Sequence, residues 1–219
     1  MSFLNKFFSS RQDPKSYDKY GDVLKKIMTT KDQRQEAIDA LSKLAPEFSI
    51  PQLLKRFEIV VDSGLLDNRE KDMCMKIIVS HGEKAHAFIR EALKTQSRLA
   101  WPIKIAEKIF PSEEYLSLLL ENLNTSMVVF DESALERNTD ILLALKDIHD
   151  EKIISRAQDL LASRDEGVKM AALECLESQA VKFSQAKEFI LTLKDAPLSD
   201  ENSRFIGVVN EIARKNSWI

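Results

Sequence analysis

The sequence predicts an all-α protein built as an α-α superhelix, a solenoid of about six helix pairs. The chain has 219 residues with only 5 Gly and 6 Pro, which is few for a sheet-rich protein that needs many tight turns. Its apolar residues recur at three- and four-residue steps, the spacing of one helical face. The same helical pattern returns every 31 to 37 residues, a period typical of repeat architectures.

The clearest unit spans residues 163–179. Ser163 is followed three residues later by Glu166, and we expect the two to form a capping box at the start of a helix. The apolar face of that helix consists mostly of small residues, which let a second helix approach closely. These residues are Val168, Ala171, Ala172, Cys175 and Leu176.

The same arrangement can be followed along the whole chain. Thr30 and Gln33 predict a second capping box, and an apolar anchor recurs in each of six units. The intervals between the anchors are 37, 32, 35, 31 and 37 residues, and the anchors are Ala37, Cys74, Ala106, Ile141, Ala172 and Val209. A further helix is predicted ahead of each anchor helix, at residues 17–28, 50–61, 83–93, 112–123, 151–161 and 185–193.

This motif resembles the second helix of a HEAT repeat, with Cys175 in place of the second Ala of the repeat motif. The residues that carry the resemblance are Asp165, Val168, Lys169, Ala172, Cys175 and Leu176. The resemblance covers the full chain by period but only the first, second and fifth units by motif, because Pro102, Arg137 and Gly207 interrupt the others. It implies antiparallel helix pairs stacked in a right-handed superhelix, whose second helices line a concave binding surface. We expect residues 17–219 to form one such solenoid, preceded by an apolar segment and linker at 1–16.

The cysteines and the apolar runs indicate the cellular compartment of the protein. Cys74 and Cys175 lie far apart in sequence on apolar helical faces, so we expect reduced core residues and a reducing compartment. No apolar run approaches the roughly 18 residues that a membrane helix needs. Residues 1–10 lack the long apolar segment of a secretory signal. We therefore expect a cytoplasmic protein.

The usual signatures of catalysis and metal binding are missing. His81 and His86 are five residues apart, a poor spacing for two ligands on one helical face. The chain has no Gly-x-Ser-x-Gly, no phosphate loop and no dinucleotide fingerprint. It also lacks the His-Glu dipeptide of the HEAT-repeat hydroxylases. We expect no metal, no cofactor and no enzymatic activity.

The first candidate binding surface lies in the third anchor helix, at residues 97–110. Trp101, Lys104 and Lys108 fall on one stripe at three- and four-residue steps, with Arg98 nearby. An aromatic anchor flanked by cations suits an acidic peptide or nucleic acid. Alternatively, Trp101 packs with Ile105 and Ile109, also at four-residue steps, and leaves the lysines as ordinary solvated charges.

Two apolar segments are further candidates. Four consecutive apolar residues interrupt an acidic region and either tuck onto the core or contact a partner; they are Met127, Val128, Val129 and Phe130. The N-terminal apolar residues either fold back over the first helix pair or dock on a partner or a membrane surface, and they are Phe3, Leu4, Phe7 and Phe8. Of these alternatives we expect the first in each case.

The charge is unevenly distributed along the chain. Residues 1–110 carry a net charge of +5, residues 111–151 carry −8, and the remainder is neutral. Such a division can steer a partner. We expect a non-catalytic scaffold or adaptor that binds a protein partner, with no nucleic acid bound. The alternative is a DNA-binding enzyme resembling the HEAT-like alkylpurine glycosylases, which would need a strongly basic groove.

The helical register of the fifth unit makes a testable prediction. A large charged residue at Ala172 would be buried without a partner and should cost several kcal/mol, whereas the same change at Glu177, on the opposite face, should be nearly neutral. Thermal denaturation of the two variants checks the register. Equal losses at both positions would show that it is wrong.

Overall fold

Twelve α-helices make up most of the computed structural model, which describes residues 17–124, 131–195 and 203–219. These residues contain no β-strand, so the predicted all-α class is confirmed. The helices are α1 (Asp18–Lys25), α2 (Lys31–Leu41), α3 (Pro46–Leu54), α4 (Gly64–Ser80), α5 (His86–Thr95), α6 (Ala100–Ile109), α7 (Ser112–Asn122), α8 (Glu132–Leu145), α9 (Glu151–Leu160), α10 (Glu166–Gln179), α11 (Ser184–Lys194) and α12 (Ser203–Lys215). None of them is long and apolar enough to cross a membrane.

The six anchors fall in the even-numbered helices, and each is buried with at most 2% of its surface exposed. Three of the anchors, Ala37, Ala106 and Ala172, are small, and the distance between packed helices depends on the size of the side chains at their contact. Cys74 and Cys175 are free thiols inside this core. Burial raises the pKa of each thiol to about 12, so both are neutral at physiological pH.

The helix starts are partly those expected from sequence. Thr30 and Gln33 form the predicted capping box, in which each side chain accepts a hydrogen bond from the backbone N–H of the other residue. The capping box predicted at Ser163 is wrong. Asp165 caps α10 instead, and its carboxylate accepts from Val168 N at 2.9 Å. The Ser163 hydroxyl accepts from Asp165 N at 3.2 Å and so stabilises the turn before the helix.

The described chain divides into two compact units. The first unit holds the residues up to Ala92 together with Lys104–Ile109, and the second holds Leu93–Ile103 together with Phe110–Ile219. In the first unit, α1 contacts α2 and α3, and α4 contacts α2 and α3. In the second unit, α10 contacts the two helices before it, α8 and α9, and the two after it, α11 and α12.

Five buried charged side chains form an ion network in the first unit. Glu70 Oε2 accepts hydrogen bonds from Arg34 Nε at 2.7 Å and from Arg56 Nη2 at 2.9 Å. Asp67 lies between Arg56 Nη2 and Lys71 Nζ, each 2.7 Å from one of its oxygens. All five side chains are at least nine-tenths buried. Charges removed from water are tolerated only when they are paired in this way.

The same buried ion network holds the backbone of two interhelical turns. Arg34 Nη1 donates to the carbonyl of Thr29, between α1 and α2. Arg56 Nη1 donates to Ile59 O at 3.3 Å, and Asp67 Oδ1 accepts from Val61 N at 3.1 Å, both between α3 and α4. Two turns that are far apart in sequence are therefore joined through one carboxylate, Glu70.

The Asp67 carboxyl makes the stabilisation by this network depend on pH. Burial acts to raise the pKa of its carboxyl, but hydrogen bonds from Lys71, Arg56 and Val61 N outweigh that effect and hold the pKa below its ordinary value of 3.8. A carboxyl whose pKa is lowered by folding stabilises the folded state above its unfolded-state pKa. That contribution is lost as the pH falls through the lowered pKa.

The structure shows that Glu177 is a poor neutral control for the substitution at Ala172. Glu177 is not simply solvated, because its Oε1 accepts from Lys215 Nζ at 3.1 Å and from Asn216 Nδ2 at 2.8 Å. Glu188 on α11 is exposed and has no hydrogen bond or ion pair within the described residues. It is the better site for the matched charged substitution.

Asp67→Asn should destabilise the protein by about 3–5 kcal/mol at neutral pH, because it removes the carboxylate that pairs with two buried cations, Arg56 and Lys71. Chemical denaturation measured from pH 7 down to pH 2 checks this. The difference between the wild type and the variant should shrink as the pH falls below the ordinary carboxyl pKa of 3.8. Asp72→Asn on the same helix removes an exposed pair with Lys76 and should change stability by less than about 0.5 kcal/mol. A pH-independent difference for Asp67→Asn would contradict the assignment.

Candidate binding surfaces

Helix α6 carries the first surface that the sequence predicts, and it is one continuous helix. Its residues Ala100–Ile103 belong to the second unit and Lys104–Ile109 to the first. Lys104 and Lys108 are exposed, whereas Trp101 is half-buried. Of the two residues proposed as its packing partners, Ile105 is fully buried and Ile109 is half-buried. The α6 stripe, defined as Trp101, Lys104 and Lys108, therefore presents its two cations to solvent.

Helix α8 positions the start of α6. Asp140 Oδ2 accepts from Leu99 N at 2.8 Å and from Ala100 N at 3.0 Å, the first backbone donors of α6. A carboxylate at a helix N-terminus satisfies donors that have no partner within the helix and interacts favourably with its dipole. Asp140 therefore acts as the cap of a helix 40 residues earlier in the chain.

Arg137 of α8 binds the carbonyls on the α5 side of the turn between α5 and α6. Its Nη2 donates to Leu93 O at 2.7 Å, and its Nη1 donates to Gln96 O. These carbonyls lie at the C-terminal end of α5, where a cation is favoured by the helix dipole. Arg137 and Asp140 together hold the end of α5 and the beginning of α6 from one turn of α8.

The electrostatics of the two side chains reflect partial burial. Burial raises the pKa of the Asp140 carboxyl above its ordinary value, although the hydrogen bonds from Leu99 N and Ala100 N oppose the shift. Burial likewise lowers the pKa of the Arg137 guanidinium, against the attraction of Asp131. Both residues are used to fix the backbone, which explains why charged groups occupy a half-buried position.

Arg98 lies just before α6, exposed and near Glu136 of α8. Its Nη2 is 3.8 Å from Glu136 Oε1, and both side chains are close to half exposed. Ion pairs of this kind contribute little to stability, so Arg98 can exchange this contact for another. The other predicted residues, Met127, Val128, Val129 and Phe130, lie outside the described residues. Phe3, Leu4, Phe7 and Phe8 also lie outside them.

A second surface, which the sequence did not suggest, is a groove in the second unit. It has a volume of about 320 Å³ and lies along α10 and α12, with Lys146 at the end of α8 as a further lining residue. Ligand sites in proteins begin at about this size. Its lining mixes apolar and charged side chains. They are Lys146, Met170, Glu174, Glu177, Val208, Glu211, Ile212 and Lys215.

Two ion pairs lie along this α10–α12 groove, one from Lys146 to α10 and one from α12 to α10. Lys146 Nζ donates to Glu174 Oε2 at 3.0 Å, and Lys215 Nζ donates to Glu177 Oε1 at 3.1 Å. The hydrogen bond to Glu174 raises the pKa of the Lys146 ammonium above its ordinary value. These pairs join side chains of neighbouring even-numbered helices on a face that remains open to solvent.

The histidines and cysteines do not converge on a metal site within the described residues. Those residues contain no group of three or more His, Cys, Asp or Glu side chains suited to hold an ion. His81 Nε2 lies 3.4 Å from Ser49 Oγ, and His86 Nε2 lies 3.0 Å from Ile109 O. Both histidines thus have hydrogen-bonding partners that belong to the fold.

Comparisons with models of known protein families, with curated proteins and with solved structures find no match. The functional interpretation of the two surfaces therefore depends on the exposure, charge and contacts of their side chains.

Asp140→Ala should destabilise the protein by about 1–3 kcal/mol, because two backbone donors at the start of α6 lose their acceptor. Glu136→Ala, one turn earlier on α8, removes only an exposed and distant contact and should cost less than about 0.5 kcal/mol. Equilibrium denaturation of both variants checks the difference. A loss at Glu136 as large as that at Asp140 would show that capping of α6 is not what the carboxylate contributes.

Proposed function

We propose that this chain is a non-catalytic protein-binding scaffold built from HEAT-like helix pairs. The observation that carries the proposal is the open α10–α12 groove, which is lined by charged and apolar side chains of these two helices. Repeat proteins use such extended surfaces to bind other macromolecules. A cytoplasmic location remains our prediction.

The burial pattern supports the helix-pair repeat. All six anchors, which were located from the recurring motif of small and apolar residues in the sequence, are at most 2% exposed. Helix α2 contacts α4 in the first unit, and α8 contacts α10 in the second, where α10 also contacts α12. Contacts between alternate helices are what stacked helix pairs require, since a lone pair cannot bury both of its faces. That residues 17–219 form one solenoid stays a prediction.

The charge of the second unit favours a protein partner over DNA at the groove. The sequence segments of this unit carry 14 Lys and Arg against 20 Asp and Glu, a net charge of −6. Phosphate contacts dominate the affinity of DNA-binding proteins, and a negative unit opposes them. The alternative, a HEAT-like DNA glycosylase, would therefore have to bind through the first unit, whose net charge is +3.

The test is affinity capture of partners by the full chain, with and without nuclease. A defined protein that survives nuclease and is captured by the wild type supports the proposal. Val208→Trp, which fills the groove, should weaken that capture. Recovery of nucleic acid alone, or loss of every partner on nuclease treatment, would favour the DNA-binding alternative.

A charge reversal tests the α6 stripe separately. If the partner also contacts the stripe, Lys104→Glu with Lys108→Glu should lower the affinity by about tenfold or more, because the complementary charge is inverted. The matched control is Lys152→Glu with Lys182→Glu, which inverts two exposed lysines elsewhere on the surface. Titration with the captured partner measures the effect. Unchanged affinity in the first variant would remove the stripe from the binding surface.

A further inference from the structure

The α10–α12 groove has two facing rows of side chains at helical spacing. Met170, Glu174 and Glu177 form the row on α10, at steps of four and three residues. Val208, Glu211 and Lys215 form the row on α12, at steps of three and four residues. Each row covers seven residue steps, which is about 10 Å along a helix. The groove therefore has the length of a short peptide segment rather than that of a folded domain.

Apolar side chains form part of the lining. Met170 and Val208 are half-buried, and Ile212 is 6% exposed. A partner side chain laid between the rows can bury aliphatic carbon against these residues. The long aliphatic stems of Arg and Lys bury surface in this way while their charged ends stay in polar surroundings.

Some charged side chains in the groove form ion pairs and one does not. Both lining cations are already paired, Lys146 with Glu174 and Lys215 with Glu177. Glu211 is exposed and has no hydrogen bond or ion pair within the described residues. The groove thus holds three carboxylates against two ammonium groups. What it offers to a partner is an unpaired negative charge beside an apolar surface.

The wider field has the same sign. The second unit carries a net charge of −6, because residues 111–151 carry −8 and Lys94 and Arg98 add +2, whereas residues 152–219, which include α10 and α12, are neutral. The field of the unit as a whole attracts cations and repels anions. An acidic peptide would meet both this field and the free Glu211 carboxylate. A basic segment would be favoured by both.

We propose that the α10–α12 groove binds a basic peptide segment of the partner protein, in which Arg or Lys alternates with aliphatic residues. The inference rests on the proposed scaffold function and specifies the partner's chemistry at this surface. The partner's cation pairs with Glu211, and its stem covers Met170 and Val208. Arg suits the site best, since its planar guanidinium can donate two parallel hydrogen bonds to one carboxylate.

The resting ion pairs do not block this mode of binding. The Lys146 and Glu174 side chains are each 43% exposed. Lys215 is 70% exposed, but its partner Glu177 is only 18% exposed and also accepts from Asn216 Nδ2. Exposed pairs such as Lys146 with Glu174 are worth roughly 0–1 kcal/mol, so a partner guanidinium can share or replace the contact of Lys146 at little cost.

The experiment measures binding of three fluorescent ten-residue peptides to the purified full chain by anisotropy. The first contains arginines alternating with leucines, and the other two carry Glu or Gln in place of each Arg. We expect the Arg peptide to bind at least about tenfold more tightly than the Glu and Gln peptides. We also expect Glu211→Lys to weaken its binding by about tenfold or more, and the control Glu188→Lys by less than about twofold.

The inference is wrong if the Gln or Glu peptide binds as tightly as the Arg peptide, or if Glu211→Lys and Glu188→Lys weaken binding of the Arg peptide equally. It is also wrong if no peptide binds at a concentration of about 1 mM. Circular dichroism confirms that both variants remain folded. A partner captured by the wild type and lost with Val208→Trp, but insensitive to Glu211→Lys, would sustain the scaffold function and reject the basic segment. Failure of the capture experiment itself would reject the scaffold function.

Discussion

The polar backbone groups of the turns between helices impose the main constraint on this structure. A helix leaves N–H groups at its start and carbonyls at its end without internal partners, and the turns bring many such ends together. Side chains from neighbouring helices supply the missing partners. Arg34 and Arg56 bind turn carbonyls in the first unit. In the second unit Arg137 and Gln179 bind the carbonyls of Leu93 and Ile148.

This constraint explains what could be predicted from the sequence. The helices and their buried faces follow from local periodicity, and Ala37, Cys74 and Ala172 are buried where their spacing placed them. Polar contacts between residues far apart in the sequence do not follow from local periodicity. In the sequence Arg137 interrupts the repeat motif, whereas in the structure it holds the end of α5, 44 residues earlier in the chain. No spacing rule identifies such a partner before the helices are assembled.

The groove was missed for the same reason. The rows on α10 and α12 each have ordinary helical spacing, and Glu174, Glu177 and Glu211 resemble any solvated helical face. Only the contact between the two helices turns these rows into opposite walls. The α6 stripe could be recognised because all its residues lie on one helix. A surface shared by two helices has no comparable signature in one sequence.

The charged groups of the protein fall into two classes that differ in how readily they exchange partners. Pairs in the first unit such as Arg34 with Glu70 are enclosed, with both side chains about 3% exposed. A buried charge cannot give up its partner without a large penalty. Pairs in the groove, such as Lys146 with Glu174, are wetted by solvent. The buried pairs fix the backbone of the turns, whereas the exposed pairs are available to bind a partner.

Glu70 gives the first unit a cooperative element that spans its sequence. Its Oε2 atom binds both Arg34 and Arg56, each of which holds a different turn. Neither turn can open without disturbing the carboxylate that serves the other. Local opening in proteins proceeds in cooperative segments rather than residue by residue. We therefore expect the turns after α1 and α3 to open together, as parts of one cooperative unit.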